Sequence, residues 1–140
     1  MKYVLEKAVL GTIGGQKFKT TIKWRNGTLI TDEPEKIGGK DLGPDPHTLL
    51  LSSLVACTLA TLRMYIDHKK LKIPEITVEA NMAHRINGST GEITTHIEKS
   101  ISYGNTTLDP ERKARLLEIA ERCPISKVLK GNITIATVAD

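Results

Sequence analysis

Apolar and polar positions alternate with a period of two through the first third of the chain. Tyr3 to Ile13, and then Phe18-Lys19-Thr20-Thr21-Ile22-Lys23-Trp24, place β-branched and aromatic residues between polar ones, a pattern that predicts strands. Gly14-Gly15 separates the two runs. Asn26-Gly27 predicts a type I′ turn, whose central residues need positive φ, with Thr28 to Thr31 returning antiparallel. From Asp32 to Pro46 the alternation stops, and Gly38, Gly39, Gly43, Pro44 and Pro46 predict a long loop. Loops of this length often carry function.

From Thr48 to about Lys70 the period changes. Leu49, Leu50, Leu51, Leu54, Val55, Ala56, Leu59, Ala60, Leu62, Met64 and Ile66 leave almost no polar face before Arg63. Such a segment predicts one long helix buried on all sides. Its uncharged part ends at Arg63, shorter than a bilayer span needs, so no membrane is expected. Lys69, Lys70 and Lys72 suit the negative end of its dipole. At 1.5 Å per residue it spans roughly 35 Å, more than a small domain can wrap. A second copy of the chain is expected to supply the missing cover.

After Pro74, Ile76 to His84 alternates again, Asn87-Gly88-Ser89-Thr90-Gly91 turns the chain, and Ile93 to Tyr103 returns. Asp109-Pro110 predicts a capped helix with an apolar stripe of Leu116, Leu117, Ile119 and Ala120, stopping at Cys123-Pro124. A short helix from Pro124 to Lys130 ends at Gly131, and Ile133, Ile135 and Val138 predict a closing strand. The order (N-terminal sheet, long helix, hairpin, helix pair, C-terminal strand) is an α+β fold, read as a single domain over 1–140.

Composition changes this picture little. Apolar residues at 39% and charged residues at 26% are ordinary for a globular chain. The net charge of +4 comes from dispersed lysines without stacking aromatics, so nucleic-acid binding is not expected. The start, Met1-Lys2-Tyr3-Val4-Leu5-Glu6, lacks the apolar run of a signal peptide, which makes the cytoplasm the expected location.

The two cysteines, Cys57 and Cys123, match no zinc or thioredoxin-like spacing. In a reducing compartment a working thiol pair is plausible where a stable disulfide is not; two unrelated packed cysteines are the plain alternative. Cys123 precedes a proline-started helix, where unpaired amides favour a thiolate. Cys57 lies mid-helix, with Leu50, Ser53, Leu54, Ala60, Thr61 and Met64 on its face: an apolar pocket with two hydroxyls. Burial there raises a thiol unless a cation or donor compensates, so by itself Cys57 reads as a core residue. His84 and His96 approach each other across the hairpin without a third ligand, and read as solvent-facing. No metal site, phosphate loop or Ser-His-Asp arrangement is evident, and no cofactor is expected.

Gly38-Gly39-Lys40-Asp41-Leu42-Gly43-Pro44-Asp45-Pro46, followed by Leu49-Leu50-Leu51-Ser52-Ser53-Leu54-Val55-Ala56-Cys57-Thr58 and Thr61-Leu62-Arg63-Met64-Tyr65, resembles the signature of the OsmC/Ohr family. The second block, Cys123-Pro124-Ile125-Ser126-Lys127-Val128-Leu129, is also present, and the resemblance covers nearly the whole chain. It implies an intertwined homodimer with active sites at the interface, reducing small apolar organic hydroperoxides. Cys57 would attack the peroxide and become a sulfenic acid, Cys123 would condense with it, and an external dithiol would reset the disulfide. The family pattern places a glutamate just before the leucine run, paired with an arginine that activates the thiol. Here that position is Thr48, and no arginine lies between Asp32 and His47; Arg25 and Arg63 are nearest in sequence. This departure from the family pattern implies a weakened peroxidase, or a relative with different thiol chemistry. Its rivals are a protein that binds a small apolar or sulfur-containing ligand in the same pocket without turnover, and a dimeric interaction protein with inert cysteines.

Overall fold

The computed structural model describes residues 2–140, and the chain falls into two compact units, Met1–Leu50 and Leu51–Asp140. In the first unit, β1 (Leu10–Ile13), β2 (Thr20–Trp24) and β3 (Gly27–Thr31) form an antiparallel sheet in the order β1-β2-β3. Only the end of the predicted Tyr3–Ile13 strand is paired, with Leu10 opposite Lys23 and Ile13 opposite Thr20.

The β2–β3 hairpin is closed by Arg25 and Asn26, because Trp24 already pairs with Gly27. Neither Arg25, Asn26 nor Gly27 has positive φ, so the expected type I′ turn on Asn26-Gly27 is not formed. Gly27 is needed for a different reason: a Cβ there would collide with the Trp24 indole.

The glycine-rich loop is held by Asp32, which is buried at 3% exposure. Its carboxylate accepts from the amides of Glu33 (2.8 Å), Lys40 (3.3 Å) and Leu42 (3.4 Å). These bonds, the Glu33 amide first, hold the Asp32 carboxyl below its usual range against the opposing effect of burial. The fold of the loop leaves no space for Cβ atoms at Gly39 and Gly43, which pack on the carbonyls of Glu33 and Ile30.

The long helix, α1, runs from Pro46 to His68, starting two residues before the expected Thr48. Asp45 caps it, its carboxylate accepting from the Thr48 amide at 2.7 Å. At the other end Lys70 takes a left-handed conformation (φ 55°), and the Leu71 amide donates to the Ile66 carbonyl at 2.9 Å, closing the helix by a Schellman-type bond.

The second unit contains the rest of α1, then β4 (Thr77–Ile86), β5 (Ile93–Ser102), α2 (Pro110–Ala120) and α3 (Pro124–Lys130). β4 and β5 form an antiparallel ribbon, with Ile86 opposite Ile93. The Asn87 carboxamide accepts from the Ser89 and Thr90 amides, and Gly91 (φ 71°) completes the turn. Asp109 caps α2 through the Arg112 amide at 2.7 Å, with Pro110 at the first turn as the sequence suggests.

The core packs Leu62 and Ile66 of α1 against Ile73 and against Leu116, Ile119 and Ala120 of α2. Leu117, assigned to the α2 stripe from sequence, is exposed. The expectation that α1 is buried all round is also corrected: only Leu54, Thr58, Leu62 and Ile66 are buried. One chain covers one stripe of this helix. By length and composition α1 could cross a membrane, but this stripe belongs to the core.

The segment expected as a closing strand has no strand partner among the described residues. Ile133, Ile135 and Val138 are exposed there. Alternation can mark a segment as strand-competent, but a strand also needs a free edge to pair with.

Candidate functional site

The site lies in the second unit, where α1 passes the start of α3. Cys57 is half-buried and Cys123 fully buried, and both thiols are free. Proline at position 124 ends the backbone turn after α2 and starts α3, which holds Cys123 as the N-cap residue. No cap bond closes on its sulfur, but the amides of Ser126 and Ile125 face it and favour negative charge.

The two thiols interact, and their displacements are opposite. Burial, followed by the hydrogen bond with Cys123, pushes the Cys57 thiol up; the Ile125 amide and the Thr61 hydroxyl oppose this. For Cys123, burial also pushes upward, but the proton offered by Cys57, the Ser126 amide, the Thr58 hydroxyl and the Ile125 amide outweigh it, and the thiol is lowered. The pair therefore favours a Cys57 S–H donating to a Cys123 thiolate, the ranking suggested by local sequence.

Of the other residues assigned to the pocket from sequence, Leu54 is buried and lines a cavity of about 330 Å³. The Thr61 hydroxyl donates to the Cys57 carbonyl at 2.8 Å. Leu50 and Met64 are exposed, Met64 at 74%, and Ser53 is exposed as well. Thr48 is at the third position of α1, with its amide and hydroxyl both turned to the Asp45 carboxylate. Arg63 is committed elsewhere, paired with Asp67 at 3.2 Å and donating to the carbonyls of Ile73 and Pro74. Arg25 closes the β2–β3 hairpin in the first unit.

Two site residues are not evident from sequence motifs. Thr58, fully buried beside Cys57, donates its hydroxyl proton to the Leu54 carbonyl at 2.8 Å. Lys99 of β5 donates to that same hydroxyl oxygen at 3.1 Å. Lys99 lines the cavity with Leu54, Ser126, His96 and the ion pair Glu121–Lys130, whose closest atoms are 2.7 Å apart. The signals existed: Thr58 interrupts the aliphatic row Leu54-Leu62-Ile66, and Lys99 takes an inward parity position between Ile97 and Ile101.

His84 and His96 do not face each other. His84 is opposite Thr95 and His96 opposite Ala83, so adjacent ladder positions turn them to opposite faces of the ribbon. Among the described residues no group of three metal-ligating side chains forms.

Comparison with curated proteins found no match. Solved structures do match. An OsmC-like protein from Mycoplasma pneumoniae is 22% identical with TM-score 0.69, covering 91% of this chain and 90% of that one. An organic hydroperoxide resistance protein from Elizabethkingia anophelis, with crystallant-derived thiocyanate bound, is 26% identical with TM-score 0.65, over 94% of this chain and 93% of that one. The organic hydroperoxide resistance protein OhrB of Bacillus subtilis is 22% identical with TM-score 0.63, over 90% and 93%. These likenesses run across the sheet, α1, the ribbon and the helix pair, and residues 38–138, both cysteine segments included, match the model of one family: the chain belongs to the OsmC-like proteins.

Proposed function

We propose that the chain reduces organic hydroperoxides with its two thiols. Membership of the OsmC-like family and the likeness to a hydroperoxide resistance protein support a peroxide-related redox role. The observation that carries the finer reading is the pair itself: two free thiols that interact, one half-exposed and one buried. The greater exposure of Cys57 supports giving it the first step, where a peroxide must reach the sulfur.

In that step the Cys57 thiolate attacks the peroxide oxygen. The S–O bond forms, the O–O bond breaks, and the alkoxide leaves as the alcohol after taking a proton. Cys123, the more readily ionised of the two, then attacks the Cys57 sulfenic acid as its thiolate; the S–S bond forms and hydroxide departs, becoming water. An external dithiol returns both thiols by exchange. No cofactor is needed in this cycle.

A second copy of the chain completes the molecule in this reading. Met64 and Leu50 of α1 and the apolar residues of the C-terminal segment, Ile133, Ile135 and Val138, stand exposed and suit burial in a homodimer.

The test is a dithiol-coupled hydroperoxide assay on the wild type, Cys57→Ser and Cys123→Ser. Both variants should lose turnover, and Cys123→Ser should stop after one equivalent with a sulfenic acid on Cys57. Sustained turnover by Cys57→Ser would overturn the assignment.

A further inference from the structure

We infer that Lys99, acting through the Thr58 hydroxyl, is the cation that holds Cys123 ready as a thiolate. Its place in a catalytic cycle rests on the function proposed above; its effect on the thiol does not.

The geometry is specific. The Thr58 oxygen accepts from the Lys99 ammonium at 3.1 Å and has a single proton to give. In the structure that proton goes to the Leu54 carbonyl at 2.8 Å, the ordinary bond of a helical threonine to the residue four before it. The Cys123 sulfur is also within reach of the hydroxyl. When Cys123 ionises, the hydroxyl can turn its proton to the sulfur while the ammonium still satisfies its oxygen. A hydroxyl that accepts from a cation is a stronger donor than one that does not.

A lysine at a partly buried strand position needs a reason, since an ammonium is rarely buried unless paired. Among the described residues Lys99 forms no salt bridge. The nearest acid along the cavity, Glu121, is engaged by Lys130 at 2.7 Å, although it also feels the Lys99 charge. His96 pairs with Glu98 at 3.3 Å. The groups facing Cys123 are thus the Cys57 thiol and Thr58 hydroxyl on α1 and the amides of Ile125 and Ser126 on α3. Lys99 stands behind Thr58 as the one cation bonded to this set among the described residues.

Lys99 is therefore a positioning residue. It does not touch the peroxide; it acts by keeping the sulfur that performs the second step deprotonated. This chain has Thr48 where its family resemblance implies an acid for an arginine pair, so a cation supplied from β5 is a different solution, directed at the other cysteine.

The experiment is a titration of thiolate ultraviolet absorbance in the Cys57→Ser protein, where Cys123 is the only cysteine left. Lys99→Met should raise the midpoint by about one pH unit, the order expected for loss of one nearby cation. Thr58→Val should raise it at least as much, and adding Lys99→Met to Thr58→Val should change it no further. Thr58→Ser, which keeps the hydroxyl, and Lys99→Arg, which keeps the charge, should restore the midpoint. Lys99→Gln, a neutral residue with a donor, replaces the methionine variant if that fails to fold. Unchanged midpoints in Lys99→Met and Lys99→Gln would overturn the inference, and so would additive shifts, because the relay would then not run through Thr58. The titration uses no peroxide. A shifted midpoint in a protein that reduces no hydroperoxide would leave the relay standing and remove the proposed function; the reverse result would do the opposite.

Discussion

Cys57 and Cys123 interact through their thiols, and the one interaction has opposite effects on the two sulfurs: it pushes the half-exposed thiol up and pulls the buried one down. The more accessible sulfur is thus the poorer thiolate. For a one-step nucleophile this would be a defect. For the two-step cycle proposed above it fits, since the buried sulfur would meet only the sulfenic acid formed beside it and ionises more readily than its partner. The arrangement moves the difficulty to the first step.

If the thiols cooperate in this way, stoichiometric hydroperoxide should convert them into a disulfide within one chain. The two thiols interact in the reduced protein, which favours their joining. Peptide mapping without reductant should recover a Cys57–Cys123 cross-link as the main product. Cysteines carried to sulfinic acid and left unlinked would show that Cys123 does not resolve the intermediate.

The exposed face of α1 gives a second expectation. Met64 is 74% exposed on a largely apolar helix, so a charge placed there should oppose its burial against a second copy. Met64→Glu should weaken dimer association at least about tenfold, the effect of burying an unpaired carboxylate at an interface. Sedimentation equilibrium reads the change. A wild-type chain that stays a folded monomer at micromolar concentration would remove the basis of the prediction.

Gly27 offers a test in the first unit. A methyl group there meets the Trp24 indole, so Gly27→Ala should destabilise the β2–β3 hairpin by about 1–3 kcal/mol, the usual range for overpacking. Trp24 is the chain's single tryptophan, which makes its fluorescence a direct report of the site. If steric exclusion and not glycine's backbone freedom is the reason for Gly27, Gly27→Ala with Trp24→Ala should recover most of the loss.

These residues also show how far local pattern reaches. The β4–β5 ribbon, the Asp109-Pro110 start of α2 and the N-cap position of Cys123 each depend on a few adjacent residues, and each is legible from them. Gly27 was legible as a turn residue but for the wrong cause, because its constraint comes from a ring three residues away. Burial of α1 could not be read from its composition: four residues are buried, and the other apolar positions are not. Ile133, Ile135 and Val138 alternate as a strand should and yet find no strand partner among the described residues. Lys99 was missed because charge dominates the reading of a lysine, although its parity with Ile97 and Ile101 placed it inward. The Thr58 bond joins residues 41 positions apart, and no local pattern specifies such a pair.

The raised Cys57 thiol leads to the last prediction, the pH dependence of the first step. The reacting species is the thiolate, and below the thiol's pKa its fraction grows about tenfold per pH unit. Because burial is the larger cause of the upward displacement, removing Cys123 should not abolish it. In Cys123→Ser, oxidation of Cys57 by an organic hydroperoxide should therefore be slow near neutrality and accelerate by close to tenfold per unit between about pH 6 and 8. The wild-type first step should follow the same slope, shifted further toward alkaline pH by the proton shared with Cys123. Lys99→Met should leave the slope in Cys123→Ser unaltered, since the relay ends on a sulfur that this variant lacks. Single-turnover mixing with detection of the remaining free thiol measures each rate. A rate that is fast and flat from pH 6 to 9 would mean that another group ionises Cys57, and the division of work between the two sulfurs would have to be reversed or abandoned.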